Sequence, residues 1–328
     1  MNAILPFALC LLAPTLIVAS AQSSARDDAQ AAELGRVQFG RDVDRALTLA
    51  REQKKPVFLL FQEIPGCGTC QAFGAGPLSN PLLVEAIETL FVPVVVHNNK
   101  GGADKVQLER FKEPSWNNPV VRYLDADGHD LIAREEGVWS SGAVAARMIA
   151  ALEKARAAVP TWLRLAGQEL DTSTHERAVF SMHCFWEGQV ALGGIDGVVD
   201  ARPGFIDGAE VVDVRFVPTV ISLPALLRRA EALSCASQVW LPSRERVDEA
   251  RAVIGDRAHY LAGMVRTAAD TDDLRRLHAA RAIDQVKLTR AQQLRVNALL
   301  AAPGGKPDAV LSPRQIVELR AIEKRLAQ

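Results

Sequence analysis

The chain has 328 residues, 38 of them Lys or Arg against 39 Asp or Glu, with 48% hydrophobic and 5% aromatic residues. So even a charge balance leaves no electrostatic footprint for nucleic acid or another polyanion, and the apolar content is too high for a disordered chain. The length suits two domains of ordinary size, while five cysteines are too few for a disulfide-stapled scaffold and odd in number.

Asn2 to Ala25 carries no charge, and its apolar core, Ile4 to Val18, leads into Ala19-Ser20-Ala21, a small-residue pattern at which a signal peptide is cut. Residues 1–21 are therefore read as a signal peptide and 22–42 as a linker. The alternative is an uncleaved leader acting as a single membrane anchor, the one route to a membrane. Cleavage after Ala21 removes Cys10 and leaves Cys67, Cys70, Cys184 and Cys235. The expected location is periplasmic or secreted, where disulfide chemistry persists.

Val43, Ala46, Leu47 and Ala50 recur at helical spacing up to Lys55, and Pro56 stops that helix. Val57 to Phe61 is a short continuous apolar run, as a buried parallel strand would be. A helix over 81–90 and a strand over 91–96 follow, the strand carrying Pro93. After a polar loop, Pro119 to Leu124 reads as a strand. The turn Asp125-Ala126-Asp127-Gly128 predicts a hairpin partner over 130–134, and a helix over 141–158 closes a first domain, 43–160. Residues 161–176 read as a linker. A second domain, 177–242, opens with a strand over 178–182, then Cys184-Phe185-Trp186 and a helix, followed by apolar runs at 210–216 and 223–227. From Ser243 the pattern is helical and amphipathic, predicting a helical extension over 243–328, with Ser312 capping a last helix that has Pro313 at its first position.

Pro65-Gly66-Cys67-Gly68-Thr69-Cys70 follows a strand and opens a helix. There the first cysteine meets free N–H groups and the helix dipole, which favour its thiolate. The second lies one turn on, within reach of a mixed disulfide. Cys67 is thus the candidate nucleophile and Cys70 the resolving thiol. A static disulfide is the structural alternative. Zinc would need two more ligands, and no second Cys-x-x-Cys or His pair is present, so no metal and no cofactor is expected.

On the Val57–Phe61 strand, the Cys67-Gly68-Thr69-Cys70 turn and Pro119 at the head of the next strand, the first domain resembles the thioredoxin superfamily. The resemblance implies a cis Asn118–Pro119 bond and a role for Pro119 in holding substrate backbone. Pro65-Gly66 stands where that family usually has Trp ahead of the first cysteine.

Cys184 also follows a strand and opens a helix. From Ala178 to Ala230 the chain resembles A-type peptide methionine sulfoxide reductases, on Cys184-Phe185-Trp186, Ile195-Asp196-Gly197-Val198, Arg202-Pro203-Gly204-Phe205 and Gly208-Ala209-Glu210-Val211-Val212. That resemblance implies that Cys184 attacks the sulfoxide sulfur, that Glu210 acts as general acid, and that Phe185 and Trp186 hold the methyl group. Cys235 would condense with the sulfenic acid, and Cys67/Cys70 would reduce the resulting disulfide. The chain departs from this family at His183, where it has glycine, and at Phe205, where it has tyrosine. The lost phenolic donor is of a kind worth about 10²–10³ in rate.

The expected architecture is α/β: a thioredoxin-like domain, a second α+β domain like methionine sulfoxide reductase, and the helical extension. The expected activity is thiol-dependent oxidoreduction in oxidative protein repair. Its expected partners are protein disulfides or methionine sulfoxide and an upstream thiol reductant. The rival is a non-catalytic scaffold with a structural Cys67–Cys70 disulfide and a degenerate second domain.

Overall fold

Asp42 stands just ahead of the first apolar-periodic stretch, and its carboxylate accepts the Arg45 N–H to start α1 (Val43–Gln53), satisfying a donor that the helix itself leaves open. The structure, a computed structural model, describes residues 30–116 and 119–328, so the leader, Cys10 and the Asn118–Pro119 bond lie outside the described residues. Among those described, the cis peptide bond is Ile64–Pro65. No helix among them is long and apolar enough to cross a membrane.

Three strands form the first sheet. β1 (Val57–Gln62) is buried along its whole length and lies between parallel β2 (Val92–His97) and antiparallel β3 (Val120–Leu124). Between β1 and β2 come α2 (Gly68–Ala75) and α3 (Pro81–Leu90), and α4 (Ala103–Phe111) precedes β3. Strand alternation sends Phe58 and Leu60 into one core, with Leu83 and Ile87 of α3 and Met148 of α5 (Ser141–Lys154). Leu59 and Phe61 go into the other, with Ala46 and Ala50 of α1. With both faces covered, β1 reads as an unbroken apolar run. Pro93 is tolerated inside β2 because N–H groups of that strand alternate between β1 and the outer edge. Val92 donates to Pro56 and Val95 to Gly40, so the missing N–H at position 93 falls on the outer side.

Three expectations need correction here. The hairpin partner over 130–134 shrinks to one bridge, Leu124 to Asp130. The ion pairs of Arg122 with Asp130 and of both Arg122 and Arg134 with buried Glu113 draw the chain off the sheet. The helix expected to reach 158 stops at Lys154, and Arg156 takes a left-handed conformation. The stretch read as a linker, 161–176, contains α6 (Thr161–Leu170), whose Trp162, Leu163, Leu165 and Ala166 are buried.

The second sheet has the order β8-β7-β4-β6-β5-β9. Its strands are β4 (Glu176–Ser181), β5 (Val198–Ile206), β6 (Ala209–Phe216), β7 (Gln238–Leu241), β8 (Ala258–Tyr260) and β9 (Arg266–Thr267). β5 and β6 form a hairpin whose turn is Asp207-Gly208, both at positive φ, the two-residue turn that matches strand twist. The helices are α7 (Phe185–Gly193), α8 (Leu223–Ala232), α9 (Arg244–Ile254), α10 (Arg275–Ala279), α11 (Arg290–Ala301) and α12 (Pro313–Leu326). The stretch from 243 onward is therefore not helical alone: β8 and β9 extend the sheet on opposite edges. Nor does it stand apart, because Leu294 and Val296 of α11 and Leu319 and Ile322 of α12 share one buried core with Phe180, Val212 and Phe216. Each such fully buried side chain contributes about 1.5–3 kcal/mol relative to exposure. Ser312 caps α12 in a capping box with Gln315, and Pro313 occupies the first turn.

Candidate functional site

β1 delivers the chain to a turn at Glu63–Gly66, and α2 begins immediately after it. Cys67 is the N-cap residue of α2 and is exposed, while Cys70 is fully buried one turn on. Their sulfurs are 3.6 Å apart. The backbone N–H of Cys70, then its thiol, then Thr69 stabilise the Cys67 thiolate and hold that thiol below its ordinary value. Burial, reinforced by the neighbouring Cys67, pushes the Cys70 thiol up to about 11. One sulfur is thus accessible and the more readily ionised of the two, while the other is buried and holds its proton more firmly.

The turn is pinned from both sides. Buried Glu33 accepts the Gly66 N–H at 2.7 Å, and Gln62 donates to the Glu33 and Cys70 carbonyls. On the far side Asn99 accepts from Ile64 and donates to Pro65, each at 3.2 Å. Gly66 is required by space: a Cβ there would stand 2.4 Å from the Glu63 carbonyl oxygen and 2.6 Å from Cys70 Cβ. The carboxylate of Glu63 and the two sulfurs all lie within 4.8 Å of one another.

The second constellation is built at the start of α7. Cys184 is its N-cap residue and half-buried. Glu210, on β6, accepts the Phe185 N–H at 2.7 Å, so the carboxylate sits on the first turn of the helix that Cys184 opens. The Phe185 ring is buried and meets Trp186 and Phe205 edge to face, at 5.5 and 5.4 Å. Trp186 is held by Asp272, which accepts its indole N–H at 3.1 Å, and by Arg275, whose guanidinium lies 3.9 Å from the ring centroid. A cavity of about 490 Å³ is lined by Cys184, Trp186, Glu187 and Arg275, among others. Cys235, between α8 and β7, is buried; its thiol donates to the Leu233 carbonyl at 3.3 Å. Burial, with a smaller contribution from the Glu187 charge, raises that thiol. His183 is exposed. Pro119 is buried, and its carbonyl accepts the Trp139 indole N–H at 3.2 Å.

Residues 38–126 match the family model described as thioredoxin-like. This segment is a thioredoxin-like domain. Its match ends inside the turn after β3, so the second sheet lies beyond it. Among solved structures the chain is similar to Mxr1 from Saccharomyces cerevisiae in an unusual oxidised form (16% identity, 32% of this chain and 82% of that one, TM-score 0.28). It is also similar to a DsbH oxidoreductase (17%, 40% and 94%, TM-score 0.31) and to methionine sulfoxide reductase A of Corynebacterium diphtheriae (15%, 40% and 85%, TM-score 0.30). No curated protein matches the chain in sequence.

The thioredoxin-like domain thus carries Cys67 and Cys70 at the carboxyl end of its central strand, where the sequence pattern puts them. The second sheet brings Cys184, Phe185, Trp186 and Glu210 to one helix start, as expected from their order along the chain. Sequence reasoning misses Glu33, Glu63 and Asn99 around the first pair, and Asp272 and Arg275 around Trp186.

Proposed function

We propose that the protein is a thiol–disulfide oxidoreductase acting at Cys67 and Cys70. The observation that carries this reading is the inequality of two thiols 3.6 Å apart, one exposed and lowered, one buried and raised to about 11. The Cys67 thiolate attacks a target disulfide, forming a mixed disulfide and releasing one target thiolate. Cys70 then loses its proton and attacks the Cys67 sulfur, releasing the second target thiol and leaving a Cys67–Cys70 disulfide. Two electrons pass from the dithiol to the target, and an upstream thiol reductant restores the pair.

The finer part of the proposal is methionine sulfoxide reduction at Cys184. The Cys184 thiolate attacks the sulfoxide sulfur, and the oxygen leaves with the cysteine as a sulfenic acid once a proton has been delivered from the Glu210 carboxyl. Methionine sulfur is reduced by two electrons and cysteine sulfur oxidised by two. Cys235 condenses with the sulfenic acid, releasing water, and the Cys67/Cys70 dithiol reduces the disulfide so formed. Glu210 on the helix start and the aromatic group of Phe185, Trp186 and Phe205 support this assignment. Export belongs to the same proposal, on the pattern of residues 1–21.

Turnover of a disulfide peptide and of peptide methionine sulfoxide, with dithiothreitol as reductant, tests both parts. Wild type is expected to act on both, Cys67→Ser on sulfoxide alone, and Cys184→Ser on disulfide alone. A wild type inert toward the disulfide overturns the first part, and one inert toward sulfoxide overturns the second.

A further inference from the structure

The Glu63 carboxylate has no role in the exchange chemistry above, and among the described residues no hydrogen bond or ion pair engages it. Yet its oxygen and both sulfurs of the redox pair lie within 4.8 Å of one another. We propose that the reduced Cys67–Cys70 pair and Glu63 together form a Zn²⁺ site, so that zinc and oxidation compete for the same two sulfurs. This goes beyond the exchange activity and does not depend on it.

The distances suit that ion. Two thiolates on a tetrahedral zinc, each at about 2.3 Å, stand about 3.8 Å from one another, and the observed separation is 3.6 Å. A carboxylate oxygen on the same ion stands about 3.6 Å from each sulfur, so Glu63 has little more than about 1 Å to travel by side-chain rotation. The frame that would hold the ligands is already fixed. The turn is tied to Glu33 and Asn99, and Gly66 lets the Glu63 carbonyl and Cys70 approach within reach.

The donor set selects the metal. Two thiolates with one carboxylate oxygen match the mixed preferences of zinc, whereas cuprous ion favours all-sulfur coordination and calcium or magnesium all-oxygen. Cys67 is exposed, so a fourth position opens to solvent and admits water. A disulfide sets its sulfurs about 2.05 Å apart, much closer than zinc allows, and neither sulfur then carries a charge to give the ion. Zinc binding and disulfide formation therefore exclude each other, and zinc stabilises the reduced form.

The test uses the full chain with Cys184→Ser, which removes the other accessible thiol among the described residues, and with Cys10→Ser, and Zn²⁺ titrated against a chromophoric chelator. The reduced protein is expected to bind one zinc at least tenfold more tightly than the same protein carrying Glu63→Gln, and the oxidised protein to bind none. Equal affinity with and without Glu63→Gln means chelation by the bare dithiol and overturns the proposal. Zinc retained by the oxidised protein places the ion elsewhere and overturns it as well. A second measurement needs no change at Glu63: the midpoint potential of the pair in zinc buffers should rise by about 30 mV for each tenfold increase in free zinc above Kd. A potential indifferent to zinc defeats the competition.

Discussion

Cys67 and Cys70 have the same side chain and opposite behaviour, and the difference lies in what surrounds each sulfur. Cys67 meets N–H groups at a helix start, whereas burial, with the Cys67 thiol beside it, dominates at Cys70. Alkylation of Cys67 by iodoacetamide, followed by mass spectrometry across pH, should therefore show a midpoint below that of a free thiol, while Cys70 resists until about pH 11. The largest stabiliser of the Cys67 thiolate is the Cys70 backbone N–H, which survives substitution of the side chain. Cys70→Ala should accordingly raise the midpoint without bringing it to the free-thiol value. A midpoint for wild type at or above that of free cysteine would show that the helix start does not stabilise the thiolate. Gly66→Ala acts on the same turn through space. Its Cβ collides with backbone that Glu33 and Asn99 hold in place, so the expected loss is about 1–3 kcal/mol in denaturant unfolding, together with slower disulfide exchange. The two cysteines are readable in the sequence because their chemistry needs only a spacing of three and a helix start. Glu33 and Asn99 are not, because each is tied to the turn across more than 30 residues by side chains that no local pattern distinguishes from ordinary polar ones.

The helix α7 owes its first turn to a carboxylate from another element. Glu210 takes the Phe185 N–H, which both satisfies an open donor and sets a carboxyl beside the helix that Cys184 opens. On the proposed mechanism Glu210→Gln separates these two tasks, since an amide oxygen still accepts the N–H but the side chain can no longer deliver a proton. Sulfoxide turnover should fall by about 10²–10⁴ with the melting temperature almost unchanged. A fall in stability with no change in turnover per folded molecule would make Glu210 a cap alone. Longer elements with a clear signal were readable: β1 as an apolar run, α3 as a helix over 81–90, and α12 from its Ser312 cap and the proline after it. β8 and β9 were not, since strands of three and two residues show no period and sit inside an amphipathic helical pattern. The Asp207-Gly208 turn is the local sequence signal for the β5–β6 hairpin. Missing β9 and α10 also hid Asp272 and Arg275, so the support of Trp186 stayed invisible.

The described chain from Ala31 onward forms one compact unit, and two devices join its sheets. α6 sends Trp162, Leu163 and Ala166 into the core beside β1 and Leu165 into the core of the second sheet; at its end Glu169 accepts N–H groups of Arg290 and Ala291 at the start of α11. The other device is Glu85 on α3. It is buried, accepts the Ser312 hydroxyl at 2.6 Å and the Arg314 N–H at 2.8 Å, and so fastens the start of α12 to the thioredoxin-like domain. α12 in turn completes the second core through Leu319 and Ile322. A substitution that frees α12 is thus felt in both halves. Glu85→Ala leaves the buried Ser312 hydroxyl without that acceptor, at about 1–3 kcal/mol before any repacking, and also takes the acceptor of the Arg314 N–H. Ser312→Ala alone removes the helix cap, worth about 1 kcal/mol, and takes one donor from Glu85. Because the two residues share one contact, the double variant should lose less than the sum of the single ones, with a coupling of about 0.5–3 kcal/mol in urea unfolding. The wild type is expected to unfold in one transition followed equally by probes placed in each sheet, and Glu85→Ala to separate those probes, the second sheet unfolding first. Additive losses, with the two probes still coincident in Glu85→Ala, would mean that α6 alone couples the halves and that α12 is held by its own core.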